Sequence, residues 1–146
     1  MNVVHVYIET SLRWPRKGSG IVGIIFTDAA DTYSKTLFGR VNNSTEHHSL
    51  LVGLDKALDY LRGYEEIHVH TSCGYIVGGS KNLTSWEENK WNTSKGETVK
   101  FAEIWQSIAS KTRNKQLEVH LNEFNGYRNW LKNECDMRGR KHGFIL

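Results

Sequence analysis

The hydrophobic pattern of this 146-residue chain is strongest between residues 42 and 61, where apolar side chains recur at the spacing of an α-helix. The positions that would share one buried helical face are Leu50, Leu51, Leu54, Ala57, Leu58 and Leu61. Residues 42–45 precede them and are Asn, Asn, Ser and Thr, which are residue types that cap the start of a helix. The pattern predicts an amphipathic helix with Glu46 in its first turn, where a carboxylate would complement the positive end of the helix dipole.

Strand-like segments lie on both sides of this helix, because β-branched and alternating apolar residues are concentrated there. The predicted strands are 3–9, 20–27, 32–41, 66–71 and 116–121. The first three are joined by short turns, which predicts an antiparallel meander. The fourth strand follows a helix, so we expect it to lie parallel to its neighbour in the sheet.

Three more segments have helical patterns, and together with the strands they predict the fold class. They are 72–83, 99–111 and 130–138. Residues 86–96 are polar and are predicted as an exposed loop or a helical extension, and residues 122–129 as a loop. The order β-β-β-α-β-α-α-β-α predicts one α/β domain over residues 1–146. Its mixed five-stranded sheet would have helices on its faces.

Composition and charge narrow the function classes only modestly. Hydrophobic residues make up 38% and charged residues 24% of the chain, as in an ordinary folded globular protein. The formal net charge of +3 favours polyanionic partners slightly. Cys73 and Cys135 have no zinc-binding spacing, so reduced thiols are expected. No apolar run reaches the length of a membrane span, and we expect a cytoplasmic protein without a membrane anchor.

Three acidic residues occupy positions from which they could converge. Glu9 ends the first predicted strand, Glu46 opens the long helix and Asp136 lies in the final helix, while Ser72 follows the fourth strand. Three or four carboxylates at one point would hold two Mg²⁺ ions about 3.5–4 Å apart for in-line phosphodiester hydrolysis. The same acids could instead be ordinary helix-terminus and surface residues, and the flanking motifs decide between these interpretations.

Those motifs are IETS at 8–11, NNSTE at 42–46, TSCGYI at 71–76, VKFAEIW at 99–105 and NECD at 133–136. In this order, and over nearly the whole chain, they resemble the motifs of the type 1 ribonuclease H family. The resemblance implies a ribonuclease H-like fold and metal-dependent cleavage of the RNA strand of RNA–DNA hybrids, with Mg²⁺ or Mn²⁺ as cofactor. It places Glu9, Glu46 and Asp136 as metal ligands, with Ser72 as the fourth catalytic position.

Substrate contacts are also predicted from the resemblance and from the basic first hairpin loop. The candidate substrate-binding residues are Ser11, Asn43, Arg13 and Trp86. In the hairpin loop, Trp14 alternates with Arg13, Arg16 and Lys17, a set that could hold phosphates and stack on a base or could simply be solvated. Trp86 lies where the family has its substrate-binding extension, although packing into the core is the simpler interpretation.

Departures from the family pattern predict an altered site. Glu9 stands at the family's first aspartate and Ser72 at its third acidic position, and the loop over 122–129 lacks the family's histidine. Hydrolysis is therefore expected to be weak or lost. The alternatives are a non-catalytic module of the same fold that binds nucleic acid or a protein partner, and a nuclease acting on another nucleic acid. His70 shares the face of Ser72 and could add a nitrogen ligand, which would favour Mn²⁺, although packing is the simpler interpretation.

Overall fold

The computed structural model describes residues 2–30, 34–123 and 125–144, and for 141–144 only the backbone. Within these ranges the strands are β1 (Val3–Thr10), β2 (Gly18–Asp28), β3 (Ser34–Ser44), β4 (Glu66–Thr71) and β5 (Gln116–Leu121). The helices are α1 (Glu46–Leu58), α2 (Gly74–Glu88), α3 (Ala102–Lys111) and α4 (Gly126–Phe144). The predicted order of elements is confirmed.

The strands form one sheet in the order β3-β2-β1-β4-β5. β2 is antiparallel to both of its neighbours, β1 and β3, so the predicted antiparallel meander is confirmed. β4 lies parallel to β1, and β5 lies parallel to β4. β1 is therefore the central strand, and its C-terminal end lies beside the C-terminal end of β4, which is where Glu9 and Ser72 were expected to meet.

Two apolar layers cover the sheet, because alternate residues of each strand point to opposite faces. On one face the even-numbered residues of β1 pack with α1, α2 and α3 around the fully buried Trp105. On the other face Tyr7 and Ile25 pack against Leu131 and Cys135 of α4. A side chain on Gly23 of β2 would lie 2.6 Å from Leu131, so the glycine allows α4 to approach the sheet closely. Within the described ranges, no helix combines the length and apolar character that crossing a bilayer requires.

Several element boundaries differ from the predictions. α1 ends at Leu58, although Leu61 is still buried in the following turn. α2 continues to Glu88 because Trp86 packs against Trp91 and Trp105, which extends the apolar face of the helix beyond its glycines.

α4 begins at Gly126 and is much longer than predicted, so the loop before it is shorter. β3 is described from Ser34 onwards, and residues 32–33 of the predicted strand lie outside the described residues.

Adjacent glycines in α2 predict opposite effects on stability. A Cβ added at Gly79 would lie 2.2 Å from the ring of Trp105, whereas a Cβ at Gly78 meets nothing within 4 Å. We expect Gly79→Ala to lower the free energy of unfolding by about 1–3 kcal/mol through overpacking. Gly78→Ala should raise it by about 0.5–1 kcal/mol, because alanine is favoured over glycine inside a helix. Urea unfolding of both variants measures the two changes, and equal effects would contradict the close packing of α2 on Trp105.

Candidate active site

Glu9 lies at the C-terminal end of β1 and is almost completely buried, with 3% of its surface exposed. The parallel pairing of β1 with β4 brings Ser72 alongside it. The Ser72 hydroxyl donates to the Glu9 carboxylate, with Oγ 3.1 Å from Oε1 and 3.2 Å from Oε2. Burial raises the pKa of Glu9, and the hydrogen bond from Ser72 opposes that rise only in part. A neutral hydroxyl thus stands where the family pattern has a fourth carboxylate.

Asp136 of α4 is paired with a cation from the first hairpin loop. Arg13 Nη2 donates to both Asp136 carboxylate oxygens, at 2.9 and 3.0 Å. The same guanidinium donates through Nη1 to the backbone oxygens of Thr10 and Leu12, at 2.6 and 3.1 Å. These bonds fix Arg13 between the end of β1 and α4, so that Asp136 already has a positive partner.

Glu46 is the first residue of α1, where Thr45 caps the helix by accepting a hydrogen bond from the His48 backbone N–H. This cap confirms the predicted helix start. The ligand atoms of Glu46, His47 and Cys73 all lie within 4.8 Å of one another, which places Glu46 beside the start of α2. The carboxylate therefore lies next to the residue that follows Ser72.

The two buried thiols, Cys73 and Cys135, lie near the acids, in a region here named the hollow of Glu9, Glu46 and Asp136. Burial raises the pKa of Cys73, and the negative charges of Glu46 and Glu9 raise it further. Burial also raises the pKa of Cys135 to about 12, with added effects from Glu9 and Asp136. Glu9 is thus close to both of the other acids. Among the described residues, however, no group of ligand atoms within 4.8 Å of one another combines the three carboxylates.

The charges of this hollow suit one divalent cation better than two. Carboxylate oxygens are the ligand type that Mg²⁺ and Mn²⁺ prefer, so the donor atoms are suitable. The three carboxylates and the directly paired Arg13 guanidinium would together carry a net charge of −2 with Glu9 ionised, and Arg128 and Lys132 add positive charge nearby, so one such cation is enough to balance them. A pair of divalent cations would need the further carboxylate that Ser72 replaces.

The raised pKa of Glu9 predicts a pH-dependent stability difference. A buried acid with a raised pKa destabilises the folded state at pH values above that pKa, where it must ionise. Below pH 4.5, the ordinary pKa of a glutamate, it has no such effect because it is protonated in both the folded and the unfolded state. We therefore expect Glu9→Gln to be more stable than the natural protein at pH 7 without metal, with the difference shrinking as the pH falls from the raised pKa of Glu9 towards 4.5 and absent below that value. Thermal unfolding across this pH range measures it. The exposed Glu88→Gln serves as the control, and a difference independent of pH would argue against a buried, ionised Glu9.

An aromatic stack borders the hollow. The ring of Trp14 stacks on His47, with ring centroids 4.6 Å apart, and His47 stacks on Tyr75 at 4.4 Å. Trp14 remains 55% exposed, and the Lys100 ammonium lies 5.7 Å from its ring centroid. Burial lowers the pKa of His47, although Glu46 opposes the change, so the imidazole in the stack is held towards its neutral form. The sequence analysis did not predict this stack.

The remaining predicted residues have varied surroundings. Ser11 accepts a hydrogen bond from the Ile21 backbone N–H and braces the first hairpin. Asn43 is exposed just before α1 and has a left-handed backbone, with φ of 51°. The ring of Trp86 packs against the rings of Trp91 and Trp105. The described ring contacts of His70 lie along the sheet rather than at Glu9, which favours packing over the role of an added ligand.

Comparison with known proteins decides the family. Residues 1–137 match the model of the family described as RNase H. The chain belongs to the ribonuclease H family. A ribonuclease H of Legionella pneumophila (strain Corby) is 35% identical over 75 residues, which cover 51% of this chain and 52% of that protein. This ribonuclease H family member thus spans about half the length of the Legionella relatives it matches. A ribonuclease H of Thiobacillus denitrificans is 25% identical over 108 residues, or 73% of this chain and 71% of that protein.

Solved structures confirm the predicted ribonuclease H-like fold. The N-terminal RNase H domain of a Mycobacterium tuberculosis protein superposes with a TM-score of 0.67 at 17% identity, covering 98% of this chain and 99% of that one. A foamy viral protease-reverse transcriptase in complex with RNA/DNA hybrid gives a TM-score of 0.70 at 14% identity, covering 99% of this chain and 20% of that one. At these identities the likeness establishes the ribonuclease H fold alone.

Proposed function

We propose that this ribonuclease H family member binds RNA–DNA hybrids across the hollow of Glu9, Glu46 and Asp136 and cleaves the RNA strand slowly, with Mg²⁺ or Mn²⁺. Family membership and a structural neighbour described in complex with an RNA/DNA hybrid support the choice of substrate. Slow cleavage is proposed because two of the acids already interact with other side chains of the same protein. Arg13 neutralises Asp136, and Ser72 donates to Glu9.

The surroundings of the hollow support binding to a nucleic acid backbone. Arg128, Lys132 and Arg13 are all near enough to Glu9 to lower its pKa, so positive charge lies along α4 as well as in the hairpin loop. The exposed face of Trp14 offers a surface for base stacking, and Lys100 adds a cation beside it. Phosphate groups and Asp136 would compete for Arg13, so substrate binding would help to free the Asp136 carboxylate.

Each side chain around the hollow would have a separate role in cleavage. Glu9, Glu46 and, once released from Arg13, Asp136 would hold the divalent cation. The bound cation would polarise the scissile phosphate and lower the pKa of water. Arg13 would then contact a phosphate oxygen, while the stack of Trp14 on His47 would position the strand beside the hollow. Ser72 keeps its hydroxyl on Glu9 and adds no negative charge, which limits the rate.

A non-catalytic nucleic-acid-binding role is the second candidate function. The observation that favours it is the neutral Ser72 at the family's third acidic position, because a serine supplies no charged ligand for a second cation. The same basic groups and the same aromatic stack would serve such a role. Absence of cleavage in both Mg²⁺ and Mn²⁺, combined with retained hybrid binding, would establish this candidate over the first.

Salt-dependent binding of a labelled hybrid tests the proposed substrate. Affinity measured by fluorescence anisotropy should fall steeply between low and moderate salt, since each neutralised phosphate releases counterions. Trp14→Ala should weaken binding roughly tenfold, as stacking on one base is worth about 1–3 kcal/mol. The matched control is Trp130→Ala, whose ring is 48% exposed and lies over Phe38 instead. Equal losses in the two variants, or binding that ignores salt, would contradict the proposed interface.

A further inference from the structure

A second cluster of ligand side chains lies on the same face of the sheet as Glu9, farther back along the strands. Four of the seven histidines come together there from three adjacent strands. This histidine face consists of His5, His68, His70 and His120, with Glu66, Glu118 and Glu123 around them. It exists because His5 pairs with His68 in the β1–β4 register, while His68 and His70 pair with Glu118 and His120 in the β4–β5 register. Neighbouring side chains in register share a face.

Three ligand atoms of this face form a nearly regular triangle. His68 Nδ1 lies 2.9 Å from His120 Nε2 and 3.3 Å from Glu118 Oε2, and the last two atoms are 3.7 Å apart. Nitrogen and oxygen ligands at 2.0–2.1 Å from a tetrahedral Zn²⁺ ion are separated by about 3.3 Å. The three atoms therefore already have the spacing of three corners of a zinc coordination tetrahedron.

Outer carboxylates hold both imidazoles in the tautomer that a metal needs. His68 Nε2 lies 2.6 Å from Glu66 Oε2, and His120 Nδ1 lies 3.1 Å from Glu123 Oε1. A ring nitrogen that donates its proton to a carboxylate leaves the lone pair on the other nitrogen. The lone pairs of His68 Nδ1 and His120 Nε2 then face each other across 2.9 Å. Such an arrangement requires a shared proton or a metal ion between them.

The triangle is accessible from solvent on one side. The side chains of His68, His120 and Glu118 are 15%, 29% and 63% exposed, so burial increases from the carboxylate towards β4. On this face α4 packs across β1 and β2. An ion could therefore reach the triangle from the side of β5, and a water molecule could complete its coordination, as in zinc sites with an open position.

We propose that His68, His120 and Glu118 form a second metal site that binds one Zn²⁺ ion or a similar late first-row transition-metal ion. Two imidazoles and one carboxylate suit zinc, nickel, cobalt and copper and discriminate against Mg²⁺, which prefers all-oxygen coordination. Ser72 follows His68 by four positions, a path of roughly 13 Å in an extended chain. The site is thus distinct from the hollow around Glu9, and its metal would lock β4 to the edge strand β5.

Metal binding to the full chain tests this proposal directly. Isothermal titration with Zn²⁺, and Co²⁺ titration followed by visible absorption, should show one tight site with nitrogen and oxygen ligands in the natural protein. His120→Gln and Glu118→Gln should each weaken Zn²⁺ binding at least tenfold and abolish the Co²⁺ spectrum. Zn²⁺ should raise the thermal midpoint of the natural protein and not that of these two variants, because metal bound only to the folded state stabilises it.

Two control variants keep the outcomes distinguishable. Glu97→Gln removes an exposed carboxylate elsewhere and should leave Zn²⁺ binding unchanged. Glu46→Gln alters the hollow near Glu9 and should also leave the tight site unchanged. Unweakened binding in His120→Gln and Glu118→Gln, or loss of binding in Glu46→Gln, would overturn the proposal. Glu118 is mostly exposed, so its variant gives a decisive result even if His120→Gln does not fold.

Discussion

The double variant Glu9→Asp with Ser72→Asp is expected to cleave an RNA–DNA hybrid in Mg²⁺ about a hundredfold faster than the natural protein, since misplacing a reacting group by about 1 Å costs that much. Glu9 is one methylene longer than the family's aspartate, and Ser72 adds a hydroxyl where the family pattern has a carboxylate. Restoring both positions would give four carboxylates at the ends of β1 and β4, at the start of α1 and in α4. Turnover of labelled hybrid under single-turnover conditions measures the gain.

The restored site should also change the stability of the protein. Four converging carboxylates repel one another, so the double variant should unfold more easily than the natural protein when no metal is present. It should gain more stability from added Mg²⁺, because the ion binds only the folded state. Ser85→Asp adds a carboxylate at an exposed position of α2 and should show neither effect. An increase in stability without metal would contradict the placement of the restored acids.

One result would refute the slow-cleavage proposal on which this experiment rests, and another would assign the slow rate to a different part of the site. Rapid Mg²⁺-dependent cleavage by the natural protein, lost in Glu46→Gln, would show that Glu9 and Ser72 form a fully working variant of the site. No gain in the double variant would place the defect elsewhere, either in the Arg13–Asp136 pair or in the loop before α4. Adding Arg13→Gln to the double variant separates these last two cases, because it removes the competing cation from Asp136.

Replacing Trp105 with alanine should cost about 3–5 kcal/mol of unfolding free energy, the usual range for deleting a buried large aromatic side chain. Trp105 of α3 is fully buried against α2, and its indole N–H donates to the Tyr75 hydroxyl at 3.2 Å. Urea or thermal unfolding measures the loss. The variant should also bind hybrid more weakly, since Tyr75 is the innermost ring of the stack that supports Trp14.

The pairing of Trp105 with Gly79 gives this prediction a sharper control. In the natural protein an alanine at Gly79 would collide with the indole, whereas in Trp105→Ala the added methyl would enter the new cavity. The Gly79→Ala change should therefore be destabilising in the natural background and neutral or stabilising in the Trp105→Ala background. Additive effects would mean that the two residues do not contact each other.

The order of elements could be predicted from the sequence because hydrophobic periodicity is a local signal. Leu50, Leu54 and Leu58 mark α1 by their spacing alone, and the β-branched run at the start of the chain marks β1. The end of α2 could not be predicted in this way. Its last turns are stabilised by packing of Trp86 on Trp105, and that contact joins residues from different helices.

The sequence motifs proposed the acids of the candidate site but gave no indication of the partners that the structure places beside them. Family-like motifs pointed to Glu9, Glu46 and Asp136, but the pairing of Arg13 with Asp136 depends on α4 lying beside the hairpin loop. The stack of Trp14 on His47 depends in the same way on the start of α1. The histidine face had a detectable signal, since alternate positions in β4 and β5 carry histidine or glutamate, although strand order and register were needed to bring them together.

The placement of the acids also determines when the hollow is completed during synthesis. Glu9 lies on the first strand and Asp136 on the last helix, while the central strand β1 must wait for β4 to complete its pairing. Such contacts between distant parts of the chain form late in folding. A nascent chain that has not yet released α4 from the ribosome therefore lacks both Asp136 and the helix that covers Tyr7 and Ile25. Its sheet residues are already made, but this third carboxylate is added only after strands β1 to β5 have been synthesised.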